Sequence, residues 1–69
     1  MDNLTAQKKL ALISDCINKE DTISKHHFDI RKMYAYLAEQ ACNAITSKEI
    51  VSLEVAKLTL DFLVRGVLK

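Results

Sequence analysis

Apolar residues recur at intervals of three and four positions in three successive stretches of the chain, which is the period of an amphipathic α-helix. The first repeat consists of Ala6, Leu10, Ile13 and Ile17, with Leu12 and Cys16 widening the apolar face on one side. The second is a continuous face formed by Ile30, Met33, Tyr34, Leu37, Ala38, Ala41, Ala44 and Ile45. The third stretch, SLEVAKLTLDFLVRGVLK at residues 52–69, carries more apolar residues than one face of a helix can hold. The pattern therefore predicts three helices.

The composition agrees with an all-α fold. The chain has no proline and one glycine among its 69 residues, so it lacks the turn formers that many-stranded folds need. Apolar residues make up 49% of the chain and charged residues 28%, as in ordinary globular domains. We predict a single small helical domain, residues 1–69, close to the lower size limit for burying a self-sufficient core.

Local signals mark the starts of the first two helices. Either Thr5 or Asn3 is expected to cap the first helix. Ser24 is the expected N-cap of the second helix, with Ile23 and Phe28 at the spacing of a hydrophobic staple.

The third helix has the clearest start signal in the chain. Thr46 precedes Glu49 by three residues, which is the spacing of a capping box, and Ile45 and Ile50 flank it as a second staple. The second and third helices are therefore expected to meet at a tight turn and to fold back on each other as a helical hairpin.

The third helix carries two apolar faces when its residues are placed about 100° apart on a helical wheel. A narrow stripe consists of Val51, Val55, Leu58 and Phe62. A broader arc consists of Leu53, Ala56, Leu60, Leu63, Val64 and Val67. A charged strip consists of Glu54, Lys57, Asp61 and Arg65. About two-thirds of the circumference is apolar, which two neighbouring helices in a monomer cannot cover.

The apolar surface that the two neighbouring helices leave uncovered has two interpretations. The third helix can be the central element of a bundle whose second face is merely half-exposed, or the second face can be an interface, since monomers seldom expose large apolar patches. We favour a homodimer built on the third helix, because dimerisation often compensates for a small core. One face is then expected to hold the hairpin with the second helix, and the broader arc is the predicted dimer or partner interface. Substitution of Leu60 or Val64 by aspartate is expected to dissociate or unfold this assembly.

The charge balance bears on partners. Ten basic and nine acidic residues leave a net charge of +1, which gives little protection against self-association and argues against a strong nonspecific DNA binder. A local basic group, Lys25, His26, Arg31 and Lys32, is a candidate nucleic-acid contact. However, the preceding link NKEDTIS is longer and more acidic than a helix-turn-helix turn, so nucleic-acid binding is not favoured.

No motif indicates catalysis, a cofactor or a metal. His26 and His27 are adjacent and point about 100° apart on a helix, so they cannot hold one metal as an i, i+4 pair does. The two cysteines, Cys16 and Cys42, are too few for a disulfide scaffold. Gly66 is the single glycine, so the chain has no glycine-rich phosphate loop. There is no signal-peptide pattern and no membrane-spanning run. The expectation is a non-enzymatic cytoplasmic protein with free thiols.

Two stretches carry a family resemblance. LALISDCINKEDTISKHHF has an amphipathic helix, a polar link and then Ile23, Ser24, Lys25 and His26. EIVSLEVAKLTLDFLVR contributes Glu49, Ile50, Glu54, Val55, Lys57, Thr59, Leu60 and Arg65. In both, the chain resembles the small enterobacterial regulators of the AriR type, which are linked to biofilm formation, acid resistance and two-component signalling. The resemblance implies a dimeric, non-enzymatic stress or biofilm regulator that acts through protein contacts.

The alternative class is a small helical chaperone or adaptor that masks the apolar surface of a larger partner, in the manner of type III secretion co-chaperones, antitoxins or immunity proteins. Stoichiometry discriminates between the two classes. A regulator dimer is stable alone, whereas an obligate adaptor folds fully only with its partner.

Overall fold

The computed structural model describes residues 2–67 of the chain, and this part is built from helices without a β-strand. The helices are α1 (Asn3–Thr22), α2 (Phe28–Asn43) and α3 (Ser47–Val67), and a short 3-10 turn, Lys25–His27, leads into α2. The described chain measures 38 × 17 × 14 Å, because α1 and α3 have 20 and 21 residues and a helix rises about 1.5 Å per residue. The all-α, three-helix prediction is confirmed.

The start of α1 is capped by Asp2, one residue before Asn3 and three before Thr5, the two predicted caps. The carboxylate of Asp2 accepts a hydrogen bond of 2.7 Å from the backbone N–H of Thr5, and this bond holds the pKa of Asp2 below its ordinary value. Asn3 and Thr5, the predicted caps, lie inside the first turn, and Thr5 is buried there. The prediction was wrong because aspartate, asparagine and threonine are all good N-caps, so the sequence alone does not rank Asp2, Asn3 and Thr5.

Ser24 also acts as a cap, but on the 3-10 turn and not on α2 itself. Its hydroxyl accepts from the backbone N–H of His26 at 3.2 Å, whereas α2 starts after His27 without a side-chain cap. Phe28 is 62% exposed, so the predicted staple does not bury it, and the Lys32 ammonium lies 5.3 Å from the centre of its ring. Ile23 is instead buried in the main core.

The predicted signal at the start of α3 is present. The backbone N–H of Glu49 donates to the Thr46 hydroxyl at 3.2 Å, and that hydroxyl donates to the Glu49 carboxylate at 2.9 Å. The two capping-box residues thus fix each other and the first turn of the helix. Of the expected second staple, Ile50 is buried but Ile45 remains 74% exposed.

The pair α1–α2 is pinned at both ends by a basic side chain. Lys9 donates to the backbone carbonyl of Ala44 at 2.9 Å, and Arg31 donates to the backbone carbonyl of Glu20 at 3.2 Å. Both carbonyls lie at helix C-termini, where the last carbonyls lack helical partners and the helix dipole favours a cation. Because the start of each helix lies beside the end of the other, α1 and α2 are antiparallel.

The core lies where the three helices meet. Its buried residues are Leu12, Cys16, Ile23, Tyr34, Leu37, Ala41, Leu60 and Val64. On α1 the side that the sequence assigned as a widening, Leu12 and Cys16, faces this core, while Leu10 and Ile17 are 66% and 46% exposed. The side of α1 that packs in the core is therefore rotated relative to the predicted apolar face, towards Leu12 and Cys16.

Candidate functional site

A polar contact joins the inward side of α3 to α2. The ring of Tyr34 on α2 is fully buried, and its hydroxyl donates to Asp61 of α3 at 2.5 Å. Asp61 also accepts from the Lys57 ammonium at 2.8 Å, one turn earlier on α3. A buried hydroxyl needs a partner, and a partly buried carboxylate needs a cation or donors. The Tyr34–Asp61–Lys57 contact satisfies all three groups and turns this part of α3 inward.

The ionisation of this contact follows from its surroundings. Burial acts to raise the pKa of Asp61, but the hydrogen bonds from Lys57 and Tyr34 outweigh it and leave the pKa below its ordinary value. Burial, reinforced by the hydrogen bond to Asp61, raises the pKa of Tyr34 well above its ordinary value. Burial likewise raises the pKa of the nearby Cys16 thiol. Tyr34 is thus held neutral and Asp61 charged, which keeps the contact intact near neutral pH.

This rotation changes which side of α3 faces outward. The narrow stripe, Val51, Val55, Leu58 and Phe62, is 49–74% exposed along its whole length. Its residues follow intervals of four, three and four, the spacing of a coiled-coil seam. The narrow stripe was one of the two faces that could have packed against α2 in the hairpin. It is free of that contact, because the inward side of α3 includes Lys57 and Asp61.

The predicted interface arc is divided by the same rotation. Leu60 and Val64 are buried in the core, and Leu53 is partly buried against it. Ala56, Leu63 and Val67 are exposed. The predicted place of Leu60 and Val64 in an interface does not agree with the structure, because their side chains are already packed within the chain. Aspartate at either position would unfold the monomer and would not report on a partner.

An open apolar groove runs between α2 and α3. It has a volume of about 590 Å³ and is lined by Lys32, Met33, Tyr36, Leu37, Ala56, Thr59, Leu60 and Leu63. Met33 is 51% exposed, Tyr36 60% and Leu63 60%, so large apolar side chains stand in solvent on both walls. On a helical wheel the groove side and the outer stripe are neighbouring sides of α3, with the small residues Ser52, Thr59 and Gly66 between them.

Ala56, Leu60 and Leu63 of the predicted interface arc line this groove. Met33 and Tyr36 of α2, which lie outside that arc, line it as well. The missed signal is their spacing: residues three apart share a helix face, so Met33 and Tyr36 form an apolar pair beside the buried Tyr34 and Leu37.

Two members of the predicted basic group, Arg31 and Lys32, have contacts within the chain. Lys25, His26 and Lys32 are exposed, but Arg31 is half-buried and bonded to the end of α1. Lys32 lies over the Phe28 ring. Each basic side chain on α2 therefore has a structural contact within the chain.

The remaining reactive side chains are scattered. Cys16 is buried and Cys42 is exposed, and both thiols are free. Over residues 2–67, no three histidine, cysteine, aspartate or glutamate side chains are grouped to hold a metal ion. Within the same residues, none of the helices combines the length and the apolar character that crossing a membrane requires.

A comparison of the chain with protein-family models found no matching family, and comparisons with curated proteins and with solved structures found no match.

Proposed function

We propose that this chain is a non-enzymatic regulatory protein that acts through protein contacts as a homodimer, with the outward side of α3 as its interface. The single observation that carries the proposal is the apolar surface formed by the α3 stripe and the α2–α3 groove. In this proposal the helices α2 and α3, joined by residues 44–46, form the tight hairpin that presents it.

The size of the surface supports an interface. Its large residues are Met33, Tyr36, Val51, Val55, Leu58, Phe62 and Leu63. The two aromatic side chains cover about 150–250 Å² each and the aliphatic ones less, so this set, roughly half to three-quarters exposed, presents at most on the order of 800 Å² in all. The largest apolar patch of a typical monomer is about 300–600 Å², and a stable dimer buries about 800 Å² on each partner. Taken together, these residues thus present more apolar area than the largest patch of a typical monomer, and their total approaches the area that one partner buries in a dimer.

The charge of the chain is compatible with self-association. A net charge of +1 produces little repulsion between two copies. The regulatory part of the proposal, a role in stress or biofilm control by a cytoplasmic protein, rests on the AriR-type resemblance of the sequence.

The test is the mass of the purified protein in solution, measured by light scattering and by sedimentation equilibrium over a range of concentrations. We expect twice the 7.8 kDa of one chain. Leu63→Asp is expected to give a folded monomer, because a charge cannot be buried at an apolar interface without large cost. Leu10→Asp is the matched control, since Leu10 is exposed to a similar degree on α1, and this variant should remain a dimer.

A wild-type chain that stays monomeric at every concentration would contradict the homodimer. If that monomer also bound an apolar dye strongly, the adaptor interpretation would replace the regulator interpretation, because the exposed apolar surface would then be the binding site of a different protein.

A further inference from the structure

The helix pair α2–α3 is covered on one side only. α1 packs in the angle between α2 and α3 and contributes Leu12 and Cys16 to the core there. The groove on the other side is lined by residues of α2 and α3 alone. A helix pair with one neighbour in one groove and an open apolar groove opposite has the geometry of a bundle that lacks a helix.

We propose that the missing helix is α3 of a second copy of this chain, so that the α2–α3 pairs of two copies form a four-helix bundle around a two-fold axis. The inference rests on the proposed homodimer and adds that α2 takes part in the interface as fully as α3. Each α3 then packs against α2 of the other copy as well as against its own.

The shape of the groove suits a helix. Its walls carry the large side chains of Met33, Tyr36 and Leu63, while Ala56 and Thr59 are small and leave room between them. Helices pack at axis separations of about 8–10 Å by placing side chains of one helix into gaps on the other. The outer stripe of α3 supplies such side chains, because Val55, Leu58 and Phe62 recur at the intervals of a coiled-coil seam.

Two-fold symmetry lets both surfaces be covered at once. In each copy, α3 forms one wall of the groove and also carries the stripe. When α3 of one copy enters the groove of the other, the groove of the first copy is therefore placed to receive α3 of the second. Such a self-complementary contact closes at two copies and leaves neither groove open for a third.

The charges of the surface fit a second copy. Lys32 is the charged residue among those that line the groove, and its long side chain can keep the ammonium in water at the edge. The stripe residues are all apolar, so two copies can meet without burying an unpaired charge. An anionic amphiphile would instead rely on Lys32 and would leave the stripe uncovered.

The experiment places a charge on the α2 wall. Tyr36→Glu and Met33→Glu are each expected to raise the dimer dissociation constant at least ~100-fold, because a carboxylate would be forced into an apolar contact. Phe28→Glu is the matched control: Phe28 is an aromatic residue of α2 with 62% exposure that does not line the groove, so this variant should dimerise as wild type does. Circular dichroism and melting curves establish that each variant is folded.

A second measurement does not depend on substitution. Mixed dimers of isotope-labelled and unlabelled chains are expected to show intermolecular nuclear Overhauser effects between the Met33 methyl group and the side chain of Phe62 or Val55 of the second copy. The chain has two methionines, so the Met33 methyl signal is readily assigned.

The outcomes separate the two proposals. If Leu63→Asp dissociates the dimer while Tyr36→Glu and Met33→Glu leave it intact, or if Met33 shows no intermolecular effect in a stable dimer, the homodimer stands and the four-helix arrangement is overturned. If the wild-type chain is monomeric, the homodimer itself fails and the arrangement fails with it.

Discussion

Tyr34 and Tyr36 are two residues apart and have opposite environments. Tyr34 is fully buried with its hydroxyl on Asp61, whereas Tyr36 is 60% exposed on the groove wall. The sequence pattern distinguishes their faces but not their roles, since Tyr34 lies on the same apolar face as Met33 and nothing local shows that its hydroxyl meets a carboxylate 27 positions away.

Replacing Tyr34 by phenylalanine removes one hydroxyl from the centre of the fold. The carboxylate of Asp61 then keeps Lys57 but loses its second donor in a partly buried position. Hydrogen bonds to charged groups contribute about 1.5–3 kcal/mol, so we expect Tyr34→Phe to lower the free energy of unfolding by about 1–3 kcal/mol in urea titrations.

The control for this substitution is Tyr36→Phe, which removes a hydroxyl from an exposed ring and should change the stability by less than about 0.5 kcal/mol. Equal stability of the two variants would show that the contact between Tyr34 and Asp61 does not hold α3 in place.

At the scale of the helices, local signals were predictable and rotations were not. The Thr46–Glu49 cap depends on residues three apart, so the sequence contains all the information that it needs. The rotation of α3 brings Asp61 to the hydroxyl of Tyr34, a residue of another helix. A helical wheel treats Lys57 and Asp61 as a solvated strip, because it cannot anticipate that a buried hydroxyl draws this strip inward.

The pairing of α1 with α2 leads to a test at the same scale. Lys9→Met keeps most of the apolar stem but removes the ammonium that bonds the Ala44 carbonyl. The carbonyl loses a charged donor at the end of α2, so the free energy of unfolding should fall by about 1–2 kcal/mol in urea.

Lys8→Met is the matched control, because Lys8 is the exposed neighbouring lysine on α1 and its replacement makes the same change in net charge. A loss of stability in Lys8→Met as large as that in Lys9→Met would attribute the effect to net charge and not to the end of α2.

At the scale of the whole molecule, the Asp61 contact predicts how stability depends on pH. The folded pKa of Asp61 is below its ordinary value of 3.8, so its contribution is fully present above that value and is lost as the pH falls through the folded pKa. The raised pKa of Tyr34 acts at the other extreme, where its contribution is present below its ordinary value of 10.0 and is lost as the pH rises beyond it.

We therefore expect the free energy of unfolding, measured at one protein concentration, to decrease as the pH is lowered below about 4. Asp61→Asn should be less stable at neutral pH and should show a smaller decrease in acid. Asp21→Asn, at an exposed position near the end of α1, should retain the wild-type dependence. An unaltered acid transition in Asp61→Asn would assign that transition to other carboxylates.

The position of α3 after both other helices has a consequence for how the chain is made. The antiparallel pair α1–α2 consists of neighbours in sequence, and such local pairings form in microseconds to milliseconds. The 21 residues of α3 need about 1–4 s to be synthesised at ~5–20 residues per second. α3, the most apolar helix, is therefore synthesised after both helices that hold the partners of Leu60 and Val64, which limits the time for which its apolar residues exist without those partners.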